Sequence, residues 1–296
     1  MRSLIMFTVA LAGCVTLAIP AVAQDAKIRV LIIDGQNNHK WRETTPYLKK
    51  TLEQNNRFAV DVSSNVKANE KAAEGAIPFP PDLSKYDVIV SNYNGAAWPA
   101  DFQKDFEQRV REGKLGFVLF HAANNCFAGW PEFNKMIGLG WRDSKFGERI
   151  YLDDDGKEVR VPKGEGKNTG ETNHPYAVVV RDAKHPITQE MPKEWMHAKD
   201  QLMHNLRGPA ENMKVLATAY CPATKANEPI VWTVDYGKGR IVHTPMGHDV
   251  FAMSCVGFVT TMQRATEWAA TGKVTVAIPA NFPTAEKASQ LPATKK

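Results

Sequence analysis

Three histidines stand where an apolar run gives way to small or polar residues. His121 directly follows Leu115–Phe120 and is followed by Ala122-Ala123. Small residues there allow the chain to turn sharply, as in the strand-to-helix elbow that presents a nucleophile in other α/β enzymes. An imidazole at such an elbow suits proton transfer or metal ligation better than acyl transfer. The competing reading is a loop histidine bonded to backbone. His248 lies in Gly247-His248-Asp249, where glycine permits close backbone approach and Asp249 can orient its neighbour or cap the next segment. His39 closes a polar loop, Asp34–Trp41, behind the apolar run Ile28–Ile33. We therefore expect His121, His248 and Asp249 as catalytic groups, and His39, His121 and His248 as ligands for a divalent metal, zinc or similar.

Other polar residues are weaker candidates. Asp200 and His204 are four apart, which on a helix puts them on one face. The alternative is a solvated polar face. His174 and His185 each precede proline and read as turns; His197 carries no strong signal. His243 alternates with Ile241 and reads as a core histidine. Cys126 lies five residues past the elbow and reads as a small hydrophobe. No G-x-S-x-G, phosphate loop, H-E-x-x-H or paired C-x-x-C is present, and Gly237–Arg240 lacks the context of a dinucleotide site, so no nucleotide cofactor is expected.

The elements that position these groups alternate. Ile28–Ile33, Tyr86–Val90 and Leu115–Phe120 are apolar runs typical of buried parallel strands. Residues 42–56 read as helix, with Pro46 tolerated only early. Pro99 opens another helix that reaches Gly113, with Phe102, Phe106 and Val110 on one face. Phe58–Val62 reads as a short strand, and residues 64–82 as loop. Strands alternating with helices imply a mostly parallel sheet with helices on both faces. Ligands bind outside the carboxyl ends of such strands, which singles out Asp34–His39, Asn92–Gly95 and His121–Asn125. Residues 141–173 break the alternation with eight acids, seven bases and five glycines; Arg149–Leu152 and Glu158–Val161 frame an exposed hairpin. Strands resume at Tyr176–Val180, Lys214–Ala219, Ile230–Val234 and Ile241–Thr244, and Val256–Ala270 is a closing helix. From Thr284 the tail is expected to be disordered. One domain spans about 27–283.

Composition is that of a globular protein: 296 residues, 43% hydrophobic, 23% charged, four cysteines. Collagen-like, coiled-coil and disulfide-scaffold classes are excluded. Residues 1–23 read as a secretory leader, with Arg2, an apolar stretch and Ala21-Val22-Ala23 before Gln24. Leu11-Ala12-Gly13-Cys14 offers a lipoprotein box as the rival; both routes export the protein, to the periplasm or beyond. Removing Arg2 with the leader lowers the formal charge from +5 to +4, and the basic residues do not cluster, so nucleic-acid binding has no support. No other stretch is long and apolar enough to span a bilayer. Of Cys126, Cys221 and Cys255, one pair could bridge in an oxidising compartment; Cys221 with Cys255 is our guess.

The chain resembles the trehalose-utilisation (ThuA-like) family, a branch of the class I glutamine-amidotransferase-like, flavodoxin-like α/β fold. The resemblance covers nearly all of residues 27–283. It rests on Leu119–Ala123, His185–Thr188, Asp200–His204, Pro229–Thr233, Tyr236–Arg240, Met246–Asp249 and Glu267–Gly272. The family usually shows Asp-Glu-Leu-Tyr where this chain has Asp200-Gln201-Leu202-Met203, so an acid and a phenol are missing. Amidotransferases carry cysteine at the elbow; with His121 there, glutaminase activity is not expected.

The resemblance implies sugar catabolism and a small carbohydrate as partner, a trehalose-like disaccharide oxidised at C3 of one ring. A base such as His121 or His248 would remove the C2 proton, the C1 substituent would leave, and water would add. Asn92, Asn94, Trp98, Asp200, His204 and Arg240 are the expected substrate-binding residues. Trp41, Tyr93, Trp98, Trp130 and Trp141 could stack on sugar faces, or be core. A non-catalytic carbohydrate-binding protein is the alternative. A two-carboxylate glycosidase built on Asp34, Asp200 and Asp249 is a third reading, which no spacing supports.

Overall fold

Successive side chains of a buried strand point to opposite faces, so an unbroken apolar run serves two cores at once. In the computed structural model, which describes residues 26–292, β1 (Ile28–Gly35) does this: Val30 and Ile32 pack on one side and Leu31 and Ile33 on the other. The proposed leader, the Cys14 alternative and residues 293–296 lie outside the described residues. β1 is followed by α1 (Trp41–Glu53), β2 (Phe58–Asn65), β3 (Val88–Ser91), α2 (Ala100–Arg111), β4 (Gly116–Phe120) and α3 (Pro131–Ile137). Then come β5 (Arg149–Leu152), β6 (Glu158–Val161), β7 (Gly170–Val180), β8 (Glu194–His204), β9 (Met213–Cys221), β10 (Ala226–Tyr236) and β11 (Gly239–Thr244). The short α4 (Val250–Met253) and the long α5 (Val256–Thr271) close the order.

The sheet is mixed, which corrects the expectation of a mostly parallel one. Its order is β2-β1-β3-β4-β11-β10-β9-β7-β8, with β5 and β6 attached beside β10. β2, β1, β3, β4 and β11 pair in parallel. Every pair from β11 through β10, β9 and β7 to β8 is antiparallel, as is the β5–β6 hairpin. The cause is connection length. α1 joins β1 to β2 and α2 joins β3 to β4 as parallel crossovers, whereas Gly237-Lys238 joins β10 to β11 in a tight turn that only antiparallel strands can use. The predicted hairpin at 149–161 forms with Leu152 opposite Glu158.

Helices cover both faces of the parallel half. Leu48 and Leu52 of α1 and Phe258, Met262 and Ala265 of α5 join one core. Phe102, Phe106 and Val110 of α2 and Phe133 and Met136 of α3 join the other. Residues 284–292, expected to be disordered, instead dock on this body. Met196 donates its N–H to the Thr284 carbonyl, Val256 to Ser289, and Leu291 to Ser254. Backbone pairing fixes a tail whose composition alone would not order it. Among the described residues no helix is long and apolar enough to cross a membrane.

Candidate metal centre

The three singled-out histidines meet at the carboxyl end of the parallel strands. One ligand atom from each of His39, His121 and His248 lies within 4.8 Å of the others. Ring centroids are 4.6 Å apart for His39–His121, 4.9 Å for His39–His248 and 5.1 Å for His121–His248. Each comes from a different strand end, so only the fold brings them together.

His121 follows β4 with φ of +45°, a left-handed value that non-glycine residues seldom adopt, and opens a 3-10 turn to Asn125. The elbow expected from the sequence is present. The His121 ring is buried, and its Nδ1 lies 3.0 Å from the Pro245 carbonyl oxygen, which can only accept. Nδ1 therefore carries the proton and Nε2 the lone pair. Burial foremost, then the neighbouring His39 and His248, push its pKa down to about 4 against the pull of Asp200.

His39 hangs on a loop braced by asparagines. Gly35 has φ of +117°, and a Cβ there would lie 2.3 Å from the Asn65 carbonyl oxygen. Asn37 donates its amide to the Asn92 carbonyl at 3.0 Å and accepts the His39 N–H at 2.9 Å. Asn94 donates to Asn38 Oδ1 at 2.6 Å, and the same oxygen lies 3.1 Å from His39 Nδ1. His39 thus also presents Nε2, which stands 3.2 Å from that of His121. Burial, then the nearby His248, lowers its pKa. Two neutral imidazoles with lone pairs face to face repel unless something positive lies between them.

His248 is held through its main chain. Gly247 has φ of +99°, and a Cβ there would meet Phe258 at 2.7 Å. Asp200 Oδ2 accepts the Gly247 N–H at 2.7 Å, and Oδ1 accepts the His248 N–H at 3.1 Å. Asp200 is itself paired with His197, at 2.9 Å and with no exposed surface on either side chain. Burial alone would lower the His197 pKa, but the bond and charge of Asp200, with Cys255 nearby, raise it to about 9. Burial alone would raise Asp200, and His197, His121 and the Gly247 N–H hold it below the usual carboxylate range. The sequence placed His197 only among the weaker histidines; its one signal was its place three residues before Asp200.

The remaining expected site residues sort differently. Asn94 lines the cleft beside His39, but Asn92 is buried and donates to Thr44 and Thr45 at 2.9 and 3.0 Å. Both support the His39 loop. Asp249 caps α4 through the Ala252 N–H at 2.9 Å, and its other oxygen lies 3.4 Å from His248 Nδ1. Trp98 is no sugar platform: it is buried among Phe102, Phe106, Phe127 and Trp130. Asp200 and His204 are not on a helix but on β8. A strand spaces i and i+4 by roughly 13 Å rather than one turn, and His204 ends up beside Gly170 and Asn205. Asp200, being buried, faces the histidine loop and not a ligand. Arg240 sits at the amino end of β11 and bonds the Trp268, Ala269 and Ala270 carbonyls at the end of α5. A carboxylate pair for a glycosidase is not assembled, since Asp34 and Asp200 are both buried. Cys126, Cys221 and Cys255 are buried and free, so the guessed Cys221–Cys255 bridge is not formed. His243 is a core histidine, bonded to the Ile137 carbonyl and to Asn124. His174 lies inside β7 at a register shift, while His185 does form a turn with Ile187.

Two cavities open beside the cluster. One of about 680 Å³ is lined by residues that include Gln36, Trp41, Arg42, Glu70 and Asn94. The other, of about 500 Å³, is lined by His248, Asp249, Val250 and Phe251. Asn38, His39, Lys40 and Glu43 line both. Glu43, in the first turn of α1, was not picked out from the sequence.

The trehalose-utilisation (ThuA) family profile matches residues 29–269. The chain belongs to the ThuA family. A ThuA-like protein from Parabacteroides merdae superimposes with a TM-score of 0.82 at 38% identity, over 90% of this chain and 98% of its own. A second ThuA-like protein, from Bacteroides uniformis, gives 0.57 at 19% identity over 87% and 98% of the two chains, and shows the shared fold. No curated protein matches. The amidotransferase-like architecture expected from the sequence is consistent with this membership, with the antiparallel half as its correction.

Proposed function

We propose that this ThuA-family chain is an exported sugar-catabolic enzyme that cleaves a 3-keto-glycoside related to trehalose. His39, His121 and His248 would hold a divalent cation through nitrogen. The observation that carries this reading is the convergence of three imidazoles within 4.8 Å, two of them with lone pairs 3.2 Å apart. That spacing suits two nitrogens each about 2.1 Å from one zinc-like ion, and three protein ligands leave an open position. A bound cation would supply Lewis-acid polarisation of a ketone oxygen.

With the imidazoles so engaged, the base must come from elsewhere in the cleft, and Glu43 lines both cavities. Its carboxylate takes the C2 proton, made acidic by the C3 ketone. The electrons left on C2 form the C1–C2 double bond as the C1–O bond breaks. The departing oxygen takes up a proton, and water then adds across that double bond. Gln201 and Met203, which replace the family's usual acid and phenol, line neither cavity; Met203 is a core residue beside Asn124. Their loss therefore leaves the cleft described here intact.

The test is elemental analysis of the purified mature protein before and after chelation, with 3-keto-trehalose cleavage assayed in the same samples. About one ion per chain, with cleavage lost on chelation and in Glu43→Gln, is the expected result. Cleavage without metal would return the acid–base role to the histidines. Saturable sugar binding with neither metal nor cleavage would establish the binding-protein alternative.

A further inference from the structure

The two cavities are not equivalent, and their difference bears on how a two-ring ligand would lie. They share His39, and His248 lines the smaller, while the buried His121 lines neither. The larger is lined by amide and charged side chains, among them Gln36, Asn94, Lys67 and Glu70, and its aromatic residue, Trp41, is only 6% exposed. That wall suits a ring crowded with hydroxyls. The smaller has an exposed aromatic at its edge: Phe251, which also borders a third cavity with Tyr47 and Gln290, is 54% exposed, one of only two large hydrophobic side chains so exposed among the described residues.

The main chain of Phe251 is also held in place. α4 is capped by Asp249, and the Phe251 carbonyl accepts the Gln290 side-chain amide at 3.1 Å. The same amide donates to Ser254 Oγ at 2.9 Å, and Leu291 donates its N–H to the Ser254 carbonyl. An exposed phenyl ring on a helix pinned from outside offers apolar area at little ordering cost.

We infer that Phe251 is the stacking platform for the second ring of a two-ring glycoside, with the first ring in the polar cavity and the linkage between them over the histidine cluster. This rests on the sugar reading above, but assigns a subsite and a specificity residue that the reading does not. The ring presents its C–H face to the phenyl group, which recognises shape rather than a hydroxyl pattern. Binding to this subsite therefore depends on a second ring being present and little on which sugar it is.

Calorimetric titration of the metal-loaded full chain with unoxidised ligands tests this, since no cleavage is needed. Methyl α-glucoside supplies one ring and trehalose two. Wild type should bind trehalose roughly tenfold more tightly. Phe251→Ala should erase that preference while leaving methyl α-glucoside unchanged, and Phe251→Trp should keep it. Wild type with no preference for two rings, or Phe251→Ala weakening both ligands equally, would overturn the inference. A protein that keeps the Phe251-dependent preference but neither holds metal nor cleaves would overturn the proposed reaction alone. A cleaving metalloprotein indifferent to Phe251→Ala would overturn the subsite alone.

Discussion

The parallel and antiparallel halves of the sheet do different work. The parallel half ends in loops, and each of β1, β4 and β11 releases one histidine at its carboxyl end. The antiparallel half contributes no imidazole to that cluster. It contributes Asp200 and His197 from β8, which packs against α4 and clamps the His248 loop by its main chain. Reactive side chains come from strand ends where the chain must turn, and rigidity comes from a strand interior where a buried charge pair can be surrounded. Site and support are thus apart in sequence: Asp200 lies 47 positions before Gly247.

Replacement of a loop imidazole should have the largest effect of any single change on this division. His121→Ala and His248→Ala are expected to lose stoichiometric metal and to reduce 3-keto-glycoside cleavage by at least about 100-fold. Both should keep a cooperative thermal transition, His121→Ala at a lower Tm because it gives up the buried bond to the Pro245 carbonyl. Metal content by elemental analysis and turnover at saturating substrate check this. Wild-type values in both would show that the parallel half does not hold the reaction.

Asp200→Asn comes next and asks whether support is as important as ligation. The carboxylate accepts from His197, Gly247, Gln201 and His248. An amide keeps the shape but leaves a buried imidazole without its charge partner, a loss of about 3–5 kcal/mol. Metal affinity should fall about 10–100-fold even where the variant is fully folded, since the His248 loop loses its anchor. Denaturant melts and metal titration separate the two. A variant destabilised but unchanged in metal affinity would make Asp200 a purely structural residue.

The strands and helices of the parallel half were legible because each strand is an apolar run and each helix has its own apolar face. Phe102, Phe106 and Val110 read as one stripe and form one. The antiparallel half was harder. β8 mixes Lys199, Asp200, Gln201 and His204 with apolar residues, and a spacing of four is even, so it satisfies one face of a helix and one face of a strand alike. Nothing local could reveal that Asp200 would reach Gly247, 47 positions on. The three clustered histidines were legible for the opposite reason: each follows a strand, and the rule for carboxyl ends needs no knowledge of long-range pairing. Glu43 and Phe251 were not, since their importance lies in cavity walls assembled from several loops.

The charge pair also predicts a pH window for stability. His197 binds its proton more tightly in the folded chain, with a pKa near 9 against an ordinary value of about 6.5. Its contribution is complete below about pH 6.5 and is lost as pH rises through 9. Asp200 has the opposite sign: its depressed pKa contributes above about pH 4, and that contribution is lost on acidification. The stability that this pair contributes should therefore be greatest between these limits. His197→Gln should melt lower throughout and lose the decline between pH 7 and 9. A parallel decline in both proteins would place its cause outside the pair.

The smallest effect should come from the opposite end of the parallel half. Arg240 was expected to touch substrate, but it stands at the amino end of β11, where its guanidinium bonds the last carbonyls of α5. A cation at a helix C-terminus satisfies unpaired carbonyl groups and opposes the negative end of the dipole. Arg240→Gln should cost about 1 kcal/mol and lower Tm by about 2–4 °C. Metal content, kcat and KM should not move, because the site lies at the other end of the strand. A fall in kcat/KM without a fall in Tm would mean that the two ends of β11 are coupled, and that the separation of site from support is less complete than the hydrogen bonds indicate.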